Sequence, residues 1–207
     1  MLLVCSEANA APKLHVIGFG KWTTLKWHGE GDNPKITELR TRTLFVDGHA
    51  REYTVGPAHE VTERIFVVQR LFRLNDSLPQ ENGPIRWHWQ LGGWLAVDRL
   101  TGKVQALTLP EFEPDSSSVA WFRDYAAYCG LADDGRKTFA LIFQLGRRKP
   151  ILKKPIEGDS ASCQPPQWQR DPVRAIFSVN GGQQFIYAVK SHSVDLVMQA
   201  EGNDPED

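Results

Sequence analysis

Apolar residues in this chain recur with a period of two, in short runs broken by clusters of Gly, Pro, Asn and Asp. That period sends alternate side chains to opposite faces of a β-strand. Phe139, Leu141, Phe143 and Leu145 alternate with Ala140, Ile142 and Gln144, and Trp87, Trp89 and Leu91 alternate with Arg86, His88 and Gln90. The run RIFVVQRLFRL, residues 64–74, is different. It places Ile65, Val67 and Leu71 on one face and Phe66, Val68, Phe72 and Leu74 on the other. A strand apolar on both faces is predicted in the centre of a sheet or covered on both sides. No segment carries a convincing 3.6-residue period over several turns. The pattern predicts an all-β domain of antiparallel hairpins, with roughly nine to eleven strands. They are expected to form a sandwich or an incomplete, propeller-like stack of blade-like sheets.

Turn chemistry supports this. Asp47-Gly48, Asp133-Asp134-Gly135 and Asn180-Gly181-Gly182 are hairpin signals, because these residues tolerate positive φ. Arg99-Leu100-Thr101-Gly102 predicts a further short hairpin. Gly18 and Gly20 allow a bulge in a strand pair or single bent strand over residues 14–27, and Gly92-Gly93 bends the strand that holds them. A turn is expected over 29–34, a loop with at most one helical turn over 56–63, and polar loops over 75–84 and 111–118. Residues 146–169, with four prolines, are expected to be irregular.

Two hairpins resemble β-propeller blades. WLAVDRLTGKVQAL, residues 94–107, resembles the D-x-x-T-G hairpin of quinoprotein-type blades, and GLADDGRKTFALIF, residues 130–143, resembles the D-D-G-x-K hairpin of TolB-like and WD40-like blades. The resemblance implies blade-like sheets. A blade takes about 40 residues, the flanking units do not repeat, and a closed propeller is not expected.

Composition adds the compartment. The chain has 207 residues, 24 basic against 25 acidic, and 41% hydrophobic content, which suits one cored domain without a global field toward nucleic acid or membrane. No apolar run is long enough to span a membrane. Leu2-Leu3-Val4 followed by Ala8-Asn9-Ala10 fits the end of a signal peptide, although the basic n-region is missing. The alternatives are a frayed terminus or a lipid anchor at Cys5. The expected organisation is a signal remnant or disordered N-terminus over 1–11, one β-rich domain over 12–198 and a disordered acidic tail over 199–207. If Cys5 leaves with the signal, Cys129 and Cys163 remain as an even pair. They are expected to form a disulfide rather than two buried thiols, and the protein to be periplasmic or secreted.

Candidate chemistry is sparse. His59-Glu60-Val61-Thr62-Glu63 lacks the second His of a zinc helix. The other histidines have no ligand spacing. No metal site and no cofactor is expected. Ser116-Ser117-Ser118 is a loop tract, not a nucleophile elbow. Glu111, Glu113 and Asp115 sit together in the loop before Trp121, and Asp124 follows three residues after it; Glu111, Glu113 and Asp124 are the candidates for a glycoside hydrolase's acid–base pair, since tryptophans stack on sugars. Arg123-Asp124 also has a structural explanation, as a carboxylate held by hydrogen bonds near a strand start. The basic run holds Arg147, Arg148, Lys149, Lys153 and Lys154 with no intervening acid. It suits an anionic polymer, or it protects an exposed sheet edge. The expected function is therefore a binding or scaffolding role of an exported domain, toward an anionic polymer or a protein partner. The alternative is a hydrolase of polysaccharide or cell-wall material that uses the acidic loop. Nucleic acid is disfavoured by the balanced charge.

Overall fold

The computed structural model describes residues 15–28, 36–156, 163–179, 182–191 and 193–200. The expectations for the N-terminal segment with Cys5, the turn over 29–34, Asn180-Gly181 and the tail beyond 200 lie outside the described residues.

Among the described residues the fold is all-β, with fifteen strands, no helix and three antiparallel sheets. The first sheet has seven strands: β1 (Ile17–Phe19), β2 (Thr23–His28), β3 (Ile36–Val46), β4 (His49–Glu60), β5 (Ile65–Asn75), β6 (Trp87–Asp98) and β7 (Val104–Leu107). β5 is central, between β4 and β6, as its two apolar faces require. β1 and β2 both pair with β3 and form one bent strand. Phe19 opposes Leu44, the Gly20 N–H donates to Thr43 O at 2.8 Å, and Thr23 opposes Thr41. Lys21 and Trp22 therefore stand against Arg42 alone, two residues against one, which is a β-bulge.

Two four-stranded meanders follow. The middle sheet holds β8 (Ala120–Phe122), β9 (Tyr125–Leu131), β10 (Thr138–Gln144) and β11 (Leu152–Ile156). The third holds β12 (Gln167–Arg170), β13 (Val173–Ser178), β14 (Gln184–Lys190) and β15 (Ser193–Ala200). Each has its strands in sequence order, the connectivity of a propeller blade. The sheets stack without closing into a barrel.

The middle sheet explains the stack. Ala127, Cys129, Ala140 and Ile142 pack on one side against Ala175, Phe177 and Tyr187 of the third sheet. Ala126, Tyr128, Leu141 and Phe143 pack on the other side with Leu109, Trp94 and Trp121. The register places Cys129 opposite Ala140 and Tyr128 opposite Leu141, so each cross-strand pair shares one face. The first sheet has its own cluster on its outer face, where Leu44, Phe66, Val68, Leu95 and Val97 meet Ile17 and Phe19. A disulfide joins Cys129 on β9 to Cys163, ahead of β12, with Cα atoms 6.4 Å apart. It ties the middle sheet to the third.

The hairpin turns lie where turn chemistry placed them. Asp47 and Gly48 have φ of 52° and 77°, Gly102 has 64° and Gly135 has 69°. Two loop expectations are corrected. β4 continues through Gly56, at φ 69°, to Glu60, with a register shift between Val55 and His59. Residues 146–169 contain β11, because Pro155 sits on a sheet edge, where a missing N–H costs no ladder bond. The strand count exceeds the expectation because strands as short as β1, β8 and β12 show too few alternations to register as a period.

Candidate functional site

A concavity of about 500 Å³ lies between the first sheet and the entry to the middle sheet. Three tryptophans from distant parts of the chain line it: Trp27 on β2, Trp94 on β6 and Trp121 on β8. Trp94 and Trp121 meet edge to face, with centroids 5.3 Å apart, and His59 stacks on Trp121 at 5.9 Å and 21°. His59 Nε2 donates to the Arg123 carbonyl at 2.8 Å, which fixes the ring beside the indole. The irregular stretch Gly56-Pro57-Ala58 of β4 forms one wall. Ser116, Ser117 and Ser118 form another, on a tight turn in which the Ser117 N–H donates to Glu113 O at 2.7 Å. Gln69 lies at the floor, donating to Gly92 O at 3.3 Å. Asp115 is the one acidic residue among the described lining residues. Apolar ring faces with a few hydroxyls and an imidazole are suited to holding a ligand ring.

The predicted carboxylates are apportioned elsewhere. Glu111, at φ 51°, is ion-paired with Lys153, and its carbonyl accepts the Leu131 N–H at 2.8 Å. Burial, with the Glu111 charge nearby, pushes the Tyr128 phenol up, and its hydroxyl donates to Pro110 O at 2.9 Å. Glu113 shares a separate concavity of about 410 Å³ with Glu111 and Asp133. Asp124 lies in the two-residue turn from β8 to β9 and accepts from Gln144 Nε2 at 2.8 Å. The structure thus brings Glu111 and Glu113 together, leaves Asp124 apart and places none of the three in the tryptophan-lined cleft, which Asp115 of the same acidic loop does line.

The basic run is divided. Arg147, Arg148 and Lys149 follow Gly146, at φ 85°, in an exposed turn, where Arg147 Nε donates to Gln144 Oε1 at 2.9 Å. Lys153 and Lys154 are adjacent on β11, an edge strand, and so project to opposite faces. Lys153 lies over the Phe139 ring at 4.4 Å and is held by Glu111. Among the described residues, no group of His, Cys, Asp and Glu could hold a metal ion, and no helix is long and apolar enough to cross a membrane.

Trp27, Trp94 and His59 were not legible as site residues. They lie 94, 27 and 62 positions, respectively, from Trp121 in the chain, and only the pairing of strands into sheets brings them to it. The Cys129–Cys163 bridge is compatible with an oxidising extracellular compartment. No family model matches this chain, and no curated protein matches it.

Proposed function

We propose that this is a periplasmic or secreted binding domain, without catalytic function, that holds a neutral saccharide in the tryptophan-lined cleft. The observation that carries the reading is the meeting of Trp27, Trp94 and Trp121 around one cavity of about 500 Å³, a volume typical of small-ligand sites. Indole faces take the apolar face of a sugar ring, and serine hydroxyls match its hydroxyls. The acidic loop supports a hydrolase less, because Lys153 neutralises Glu111 and Gln144 holds Asp124.

Titration with neutral oligosaccharides, followed by tryptophan fluorescence, tests this. Saturable quenching is expected, and Trp121→Ala is expected to weaken it by about tenfold or more, since a lost stacking contact is worth about 1–3 kcal/mol. Unchanged affinity in that variant removes the cleft reading.

A second reading rests on the exposed Arg148 and Lys149 in the turn before β11. They would contact an anionic polymer by charge alone. On a heparin column, the Arg148→Ala/Lys149→Ala variant is expected to elute at lower salt than the wild type. Equal elution sinks this reading.

A further inference from the structure

The first sheet carries a second concavity, of about 310 Å³, with a different chemistry. Lys21, Arg42 and Arg73 line it, and among the described residues no acidic one does. Tyr53 and Trp89 form an aromatic wall, edge to face at 5.1 Å. Thr23 and Thr41, directly paired across β2 and β3, also line it; Thr23 is exposed, and the buried Thr41 hydroxyl donates to Thr54 O at 2.8 Å.

Arg64, Arg70, Arg86 and Arg99 each hold a carboxylate, of Asp98, Glu52, Glu81 and Glu60 respectively. Among the described residues, Lys21, Arg42 and Arg73 have none. The Arg73 guanidinium lies instead over Trp87 and Trp89, at 5.0 and 5.7 Å. Arg42 lies over Phe19 and Trp22, at 3.6 and 4.2 Å, and its buried Nε has no acceptor. Burial pushes the Arg42 pKa down, as it does for a cation short of counter-charge. Glu52 lies on an adjoining concavity that shares Tyr53 and Arg73, but Arg70 Nε holds it at 2.8 Å. Ring faces orient these guanidinium groups without neutralising them.

We propose that this concavity binds an acidic saccharide, a sugar ring bearing a carboxylate or sulfate group. The planar Arg73 guanidinium fork matches a two-oxygen anion, the Thr23 hydroxyl matches a sugar, and the aromatic wall takes the ring. A nucleic acid would need many phosphate contacts and a broad positive field, whereas the chain has a net charge of −1. The concavity also abuts the tryptophan-lined cleft. Thr41 lines one and its cross-strand partner Val55 lines the other. The anion site does not depend on the cleft being occupied.

Calorimetric titration tests the proposal with four probes: trigalacturonate, a sulfated trisaccharide, a neutral trisaccharide and a single-stranded oligonucleotide. One or both acidic sugars are expected to bind more tightly than the neutral one, and more weakly as salt rises. Lys21→Gln and Arg73→Gln, both at exposed positions, are each expected to weaken acidic binding about tenfold, the scale of one lost charged contact. Arg73→Lys is expected to restore only part of it. Thermal melts confirm that each variant is folded. Acidic binding that survives Trp121→Ala supports the site even if the cleft reading fails. Absence of acidic binding, tighter oligonucleotide binding, unchanged affinity in Arg73→Gln, or loss only in Arg148→Ala/Lys149→Ala overturns it.

Discussion

Replacing Cys129 and Cys163 together with alanine is expected to lower stability by about 3–4 kcal/mol, roughly 10 °C in Tm for a chain of this size. The cysteines are 34 positions apart, so the cross-link restricts a loop that includes β10 and β11 in the unfolded chain. Its folded-state role is local as well. Cys129 is buried in the core between the middle and third sheets, and Cys163 bridges to Val179 at the end of β13. Without the bridge, the third sheet is held by that core and by a few seam contacts, such as the Trp168 Nε1 donation to Ala120 O at 2.9 Å. The double variant is therefore expected to lose amide protection in β12–β15 before the first sheet opens. Thermal unfolding with and without reductant, followed by hydrogen exchange, checks both parts. A Tm unaffected by reductant would show that the bridge contributes nothing to stability.

Leu141→Ala and Ile142→Ala are each expected to cost about 2–5 kcal/mol, the range for emptying a buried aliphatic site. Neighbouring residues on a strand point to opposite faces. In a sheet with one wet face, one of the two positions would tolerate alanine almost freely. Here both are fully buried, Leu141 with Tyr128 and Leu109, and Ile142 with Phe177 and Leu152. Comparable losses in denaturant unfolding would reflect a middle layer covered on both sides. A near-neutral result at either position would falsify that packing.

The run that carries these two residues shows how far sequence patterning reaches. Phe139 to Leu145 reads as a strand by alternation, and Asp134-Gly135 supplies its turn. Alternation alone favours the odd-numbered positions and treats Ala140, Ile142 and Gln144 as the second face. That Ile142 is as buried as Leu141 depends on a third sheet formed by residues further along the chain. The site was less legible than the fold for a related reason. Trp94 and Trp121 are each embedded in strand patterns that a structural role explains, and their meeting with Trp27 and His59 depends on how β2, β4, β6 and β8 are brought together. The acidic and basic clusters were visible because they are contiguous. The fold disperses both, joining Glu111 to Lys153 across 42 positions.

By itself, the sequence determined the all-β class, the hairpin turns at Asp47-Gly48, Gly102 and Gly135, and that β5 is apolar on both faces; it made the Cys129–Cys163 pair an expectation that held only if Cys5 is removed. The class, the turns and the apolar faces rest on local backbone preference and on side-chain period, which act over a few residues. Only the tertiary structure decided the stacking order of the three sheets and the surfaces between them. It gathered three tryptophans into one cleft and left Lys21, Arg42 and Arg73 around another, without carboxylate partners among the described residues. Those arrangements depend on contacts between strands tens of residues apart, which no local pattern encodes.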